Sequence, residues 1–320
     1  MDGAPVPKAK KLDPAKFRDP KLTAAGVRRA HVALAALRTL WINTGTLCNL
    51  TCANCYIESS PLNDRLAYIT QAEVASFLDE IEELGLDTTE IGFTGGEPFM
   101  NPDIVALLDD VLARGLRALV LTNAMKPMAH HGDALGALKA RFGDRLQIRV
   151  SLDHYTQEHH EAERGAKSWG PTLDGLRFLS AEGFNFDVAG RTLWGEEEGA
   201  LRAGYARLFE AEGIDVDCAD ARRLVLFPEM DAAADVPEIT EACWDILGVS
   251  PSAMMCAASR MVVKRKGESS PVVVPCTLLP YETAFEMGPT LAGALGPVPL
   301  NHPHCARFCV LGGGSCSVGA

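Results

Sequence analysis

The chain has 320 residues, 47% of them hydrophobic and 22% charged, with a formal net charge of −12. No window approaches the run of about 18 apolar residues that a membrane span needs, and the scattered Lys and Arg exclude a general binder of phosphate backbones, whose affinity rests on clustered positive charge. The length allows one α/β barrel-type domain, or one large domain with a small appendage.

Residues 1–37 read as an N-terminal arm, mobile or draped; they hold no apolar segment like a signal-peptide core, which predicts a cytoplasmic protein. Residues 38–236 alternate short β-type runs with amphipathic helical ones, the pattern of a mostly parallel sheet with crossover helices. "TLWINT" (39–44) is the first predicted strand. Thr70 and Glu73 form a capping-box pattern ahead of a helix with Val74, Phe77, Leu78, Ile81 and Leu84 on one face and Gly85 as its stop. "TEIGFTGGEP" supplies the second strand, and Asn101-Pro102 opens a helix with Leu107, Leu108, Val111 and Leu112 inward. "RALVLTNA", "LQIRVSLDH", "FNFDVAG" and "RLVLFPEM" are the third to sixth strands, with helices near 133–142, 171–182 and 197–212 between them. The expected fold is α/β: a partial (β/α)6 TIM-type barrel followed by a small C-terminal cysteine-rich α+β module over 237–320. That module opens with a short helix around 239–248 and a two-stranded hairpin in "SRMVVKRKGESSPVVVPC", and has too little core to hold together without help.

Ten cysteines in a reducing compartment point to metal or redox chemistry rather than disulfides. Cys48, Cys52 and Cys55 crowd one loop after the first strand, and six more lie between Cys243 and Cys316. A cubane [4Fe–4S] cluster takes one thiolate per iron, so three cysteines leave an iron open. Zinc would need a fourth ligand, which a distant residue such as His154 could supply; the spacing favours iron–sulfur.

Cys48-Asn49-Leu50-Thr51-Cys52-Ala53-Asn54-Cys55 resembles the signature loop of the radical S-adenosylmethionine (SAM) superfamily. The resemblance implies that the open iron chelates the amino and carboxylate groups of SAM and that the reduced cluster cleaves the sulfonium to a 5′-deoxyadenosyl radical. The family usually has an aromatic residue just before the third cysteine; here Asn54 stands there, with Tyr56 just after as the candidate contact. Gly95-Gly96-Glu97-Pro98 is similar to the family's GGEP motif, which meets the SAM ammonium, although the same residues would also suit a plain strand-to-helix turn. Thr122-Asn123 and Ser151-Leu152-Asp153 are similar to its TNG and SLDG strand ends, with Ala124 and His154 in place of glycines. Polar groups at the carboxyl ends of parallel strands converge on a barrel mouth, so Asn123, Ser151 and Asp153 are candidates for the SAM ribose and methionyl contacts, and helix N-caps otherwise. Arg191 is the candidate partner of the SAM carboxylate. "HHEAERG" (159–165) resembles a family stretch that positions the loop over the site; His159 and His160 read equally as solvated loop histidines.

Cys256, Gly267 and Cys276 resemble the opening of the twitch or SPASM extension, and Cys305-x3-Cys309-x6-Cys316 its closing segment. This implies one auxiliary [4Fe–4S] cluster held by Cys256 and Cys276 with two of Cys305, Cys309 and Cys316; a four-cysteine zinc site fits the same residues. Cys243 reads as a buried small hydrophobe and Cys218 as without a role. The implied function is a radical SAM enzyme that abstracts hydrogen from a small-molecule or short-peptide substrate, fed by an external one-electron donor of flavodoxin or ferredoxin type, with no nucleic-acid or membrane partner. Peptide-maturing relatives often carry an N-terminal recognition domain, so the short arm tilts toward a small molecule or an undocked short peptide. The alternatives are a peptide (RiPP) maturase of the SPASM type and, in another class, a non-catalytic iron–sulfur or zinc-binding electron-transfer protein.

Overall fold

The computed structural model describes residues 10–228 and 231–314. In chain order its strands and helices are β1 (His31–Val32), β2 (Thr39–Asn43), α1 (Gln71–Glu83), β3 (Glu90–Thr94), α2 (Ile104–Ala113), β4 (Arg117–Thr122), α3 (Lys126–Ala129), α4 (Gly132–Phe142) and β5 (Leu146–Ser151). They continue as α5 (Gln157–Arg164), α6 (Trp169–Ala181), β6 (Asn185–Arg191), α7 (Glu198–Glu212), β7 (Leu224–Phe227), α8 (Cys243–Leu247), β8 (Ser259–Val263), β9 (Val272–Val274) and β10 (Val298–Pro299). A π-helical segment, Cys305–Leu311, closes the described chain.

β2 to β7 lie side by side, parallel and in sequence order, which is the predicted partial barrel. The predicted C-terminal hairpin is also present, but its first strand, β8, pairs parallel to β2, and β9 pairs antiparallel to β8. The hairpin thus extends the barrel sheet to eight strands in the order β7-β6-β5-β4-β3-β2-β8-β9.

Period-2 alternation assigns the two faces. Leu40, Ile42, Val120, Ile148, Val188 and Val262 face outward into the helix layer. Trp41, Leu119, Met261, Val263 and Val274 face inward and pack against Phe308 of the closing π-helical segment. Helix α1 starts where its capping box predicts: the Thr70 hydroxyl accepts the Glu73 N–H, and the Glu73 carboxylate accepts the Thr70 N–H. Val74, Phe77, Leu78 and Ile81 are buried, whereas Leu84 is the helix C-cap and 43% exposed.

Residues 10–37 are draped along the C-terminal region. β1 pairs antiparallel with β10, Arg29 pairs with Glu238 at 2.5 Å, and Phe17, Ala30 and Val32 share a core with Val236, Ile239, Val298 and Leu300. α8 lies on the surface: Ile246 is 78% exposed and Cys243 only half-buried, because none of its five residues is fully packed against the core. Among the described residues no helix is long and apolar enough to cross a membrane.

Candidate functional site

The cysteine loop leaves the carboxyl end of β2 and is fixed to the end of β3 by backbone pairing. Thr44 N–H donates to the Thr94 carbonyl (2.8 Å), Gly96 N–H to Gly45 (2.8 Å) and Glu97 N–H to Leu47 (3.1 Å). This approach explains the two glycines. A Cβ on Gly95, whose φ is +141°, would stand 2.4 Å from the Gly45 carbonyl oxygen, and one on Gly96 would stand 2.1 Å from that of Leu47. Glu97 is 2% exposed, and its carboxylate accepts from Phe99 N–H (3.2 Å), the Thr122 hydroxyl (2.8 Å) and Asn123 N–H (2.9 Å). Burial pushes its carboxyl pKa up. Glu97 therefore ties the end of β3 to the end of β4, and Pro98 is buried beside it.

Gly96→Ala is expected to push the loop off β3 and lower the iron bound after anaerobic reconstitution, at unchanged helical circular dichroism. Full iron loading in that variant would mean that the loop does not need this contact.

On the opposite side the loop is gripped by α5, which takes in all of the "HHEAERG" stretch but its final glycine. Ala53 N–H donates to the Glu163 carbonyl (2.7 Å), while Asn54 donates its N–H (3.0 Å) and its side-chain amide (2.7 Å) to the Glu163 carboxylate. Arg191, from the end of β6, reaches the same carboxylate at 3.2 Å and the Asn54 carbonyl at 3.3 Å; among the described residues its buried Nε has no hydrogen-bond partner. Arg164 makes a two-pronged contact with Asp153, at 2.7 and 3.1 Å. His160 is fully buried on this helix rather than solvated in a loop. His154 contacts Thr156 through Nδ1 (2.8 Å) and Glu196 through Nε2 (2.6 Å), so both ring nitrogens are engaged away from the cysteine loop.

These elements enclose a cavity at the carboxyl ends of the strands with about 1060 Å³ of empty space, its open mouth included. Cys48, Cys52, Cys55, Tyr56, Gly95, Gly96, Asn123, Ser151, Asp153 and Arg191 all line it; Glu97 and Pro98 stand behind the wall. Glu163 and Arg164 line it too. Both fall in "HHEAERG", the stretch read from sequence as positioning the loop over the site, but neither is among the candidate site residues there. Leu121, Phe227, Leu278 and Phe308 form an apolar side, where the rings of Phe227 and Phe308 lie 5.9 Å apart.

A second cavity, with about 370 Å³ of empty space including its open side, lies under the C-terminal region. Cys256, Cys276, Cys305 and Cys309 all line it, brought from the turn before β8, the turn after β9 and the π-helical segment, with Met254, Leu278 and Leu300 among its apolar wall. Cys316 lies outside the described residues, and Cys218 is buried in the helix-side core. Among the described residues none of the nine cysteines forms a disulfide. Burial pushes the pKa of Cys48 and of Cys305 up to about 12 and that of Cys256 to about 11, and raises those of Cys52 and Cys276. Binding a metal centre here would displace those protons. Among the described residues no group of three or more His, Cys, Asp or Glu is arranged to hold a metal ion; the thiols ring cavities instead. Three thiols in the first cavity, and four in the second where His304 also lines the wall, suit an iron–sulfur cluster better than a hard cation.

Residues 42–196, most of the barrel, match the family model of the Radical SAM superfamily; the cysteine-rich C-terminal region lies beyond the matched residues. The chain's relatives include AlbA, the antilisterial bacteriocin subtilosin biosynthesis protein of Bacillus subtilis, 29% identical over 260 residues that cover 75% of this chain and 54% of AlbA. Mycofactocin maturase MftC of Mycobacterium ulcerans is 31% identical over 137 residues, 43% of this chain and 35% of MftC. The chain thus spans about half the length of the first and about a third of the second. Among solved structures, SuiB of Streptococcus suis bound to S-adenosylmethionine shares the fold with a TM-score of 0.57 at 12% identity, over 79% of this chain and 63% of SuiB.

Proposed function

We propose that the protein is a radical SAM enzyme that reductively cleaves SAM at a [4Fe–4S] cluster on Cys48, Cys52 and Cys55 and modifies a short-peptide or small-molecule substrate by hydrogen abstraction. The observation that carries this reading is the convergence of those three thiols with Gly95, Gly96, Asn123, Ser151, Asp153 and Arg191 around one cavity. When bound, a reduced cluster with one open iron supplies the electron that splits SAM into methionine and a 5′-deoxyadenosyl radical.

The chain's own groups prepare that event. Glu163 and the end of β3 hold the cysteine loop from two sides. Arg191 has a buried Nε still to be satisfied, which suits it to a carboxylate oxygen of SAM. Asn123, Ser151 and Asp153 offer polar contacts to the ribose and methionyl groups, and Tyr56 bounds the space beside Cys55. Leu121, Phe227, Leu278 and Phe308 exclude water and suit an apolar part of the substrate. Leu278 lines both cavities, which supports a reading in which that part of the substrate lies between the two thiol sets. Cys256, Cys276, Cys305 and Cys309 would hold an auxiliary cluster that exchanges an electron with the substrate or anchors it, and a flavodoxin- or ferredoxin-type donor would reduce the first. The names of AlbA and MftC favour a peptide substrate.

Anaerobically reconstituted protein given dithionite and SAM is expected to release 5′-deoxyadenosine. The Cys48/Cys52/Cys55→Ala variant should release none, with iron falling from about eight to about four per chain, as two four-iron clusters require. Loaded protein that releases no 5′-deoxyadenosine would instead be a non-catalytic electron carrier.

A further inference from the structure

Three arginines are exposed by 1% or less: Arg29, Arg149 and Arg260. Burying a guanidinium without a counter-charge is costly, and two of the three obey that rule, Arg29 with Glu238 and Arg149 with Asp187. Arg260, on β8, does not. Its Nε donates to the Ala294 carbonyl (2.7 Å), Nη1 to those of Cys256 (2.6 Å) and Ser259 (2.7 Å), and Nη2 to that of Gly296 (2.9 Å). All four acceptors are neutral, and among the described residues no carboxylate pairs with it.

The hydrogen bond to Cys256 points to the missing anion. Cys256 is one of the four thiols around the second cavity, which has an apolar wall. Four thiolates outnumber the positive charge of a four-iron core, so a loaded centre there is a net anion in a low-dielectric setting, where an unmatched charge is costly. We propose that Arg260 is the fixed counter-charge of an anionic centre held by Cys256, Cys276, Cys305 and Cys309. This rests on the reading of that cavity as an auxiliary iron–sulfur site. It goes beyond that reading in assigning the compensating charge to a side chain that is not a ligand and that meets the centre through the backbone of one of its ligands. A fixed positive charge favours the more negative, reduced form of the centre, so Arg260 sets its potential and helps retain it.

The test uses the full chain carrying Cys48/Cys52/Cys55→Ala, so that only the second centre is loaded. Iron and sulfide are counted, and the midpoint potential is followed by an electron paramagnetic resonance titration. Arg260→Met should shift the midpoint to more negative potential and shorten the time for which the centre survives a chelator, while Arg260→Lys, which keeps the charge, should stay near the parent on both measures. If Arg260→Met does not fold, Arg260→Gln, neutral but able to donate to the carbonyls, is expected to show the same negative shift. A loaded centre whose midpoint ignores the neutral substitution overturns the counter-charge alone, as does an equal shift in Arg260→Lys, which would trace the effect to the hydrogen-bonding fork. Absence of any thiolate-bound metal in the parent overturns both the centre and its counter-charge.

Discussion

Replacing Asp187 with alanine is expected to destabilise the barrel by about 3–5 kcal/mol, the range found when one partner of a buried ion pair is removed. Arg149 on β5 and Asp187 on β6 are directly opposed in the strand register, and both side chains are 1% exposed. Arg149 reaches Asp187 through Nε and, at 3.3 Å, through Nη2, while Gln147 donates its amide to the same carboxylate at 2.5 Å. Alanine would leave the guanidinium in the barrel interior without its carboxylate. β5 and β6 end in Ser151 and Arg191, so the loss also loosens two walls of the cavity. Urea unfolding of the purified protein measures the cost. The double variant Arg149→Met with Asp187→Leu should recover most of it, because an apolar pair of similar volume removes both desolvation penalties. A single variant that lost less than about 1 kcal/mol would show that water or a rearranged neighbour takes over from the carboxylate.

That pair also marks where sequence reading stops. Local signals were legible: Thr70 and Glu73 cap α1 as their spacing predicts, and alternation along "RALVLTNA" separates Val120 from Leu119. The three-cysteine loop and the GGEP strand end also meet, and the structure adds a steric reason for the glycines that no motif states. Ala124, which stands where the family resemblance has glycine, takes the left-handed backbone at φ +56°, a conformation that glycine adopts without strain.

What stayed illegible depends on contacts between residues far apart in the chain. Charged residues in mid-strand, such as Arg149 and Asp187, look like a solvated face until barrel closure turns them inward. The pairing of β8 with β2 joins segments some 220 residues apart, and no local pattern encodes it. The same holds for the gathering of Cys256, Cys276, Cys305 and Cys309, where spacing supplies the ligand types but not which of them meet. His160 reads as solvated in the sequence because an α-helix in "QEHHEAER" has almost no apolar stripe to announce it.

Glu163→Ala is expected to weaken the first cluster and cut 5′-deoxyadenosine release by about 10–100-fold, the usual cost of removing a residue that orients metal ligands without being one. Its carboxylate accepts both the N–H and the side-chain amide of Asn54, just before Cys55, and it also holds Arg191. Its removal acts on both halves of the site. The loop loses the side-chain contacts to Asn54 that help set Cys52 and Cys55, and buried Arg191 loses its anchor beside the position proposed for the SAM carboxylate. Glu163→Gln separates the two effects, because its single amide oxygen still accepts one of the two Asn54 donors but no longer neutralises Arg191. It should retain iron close to the wild-type content while SAM binding changes. Iron retention against a chelator reads the first effect, and equilibrium binding of SAM to the loaded protein reads the second. If Glu163→Ala keeps wild-type values on both, the pairing with β3 alone positions the cysteine loop, and α5 is only a wall of the cavity.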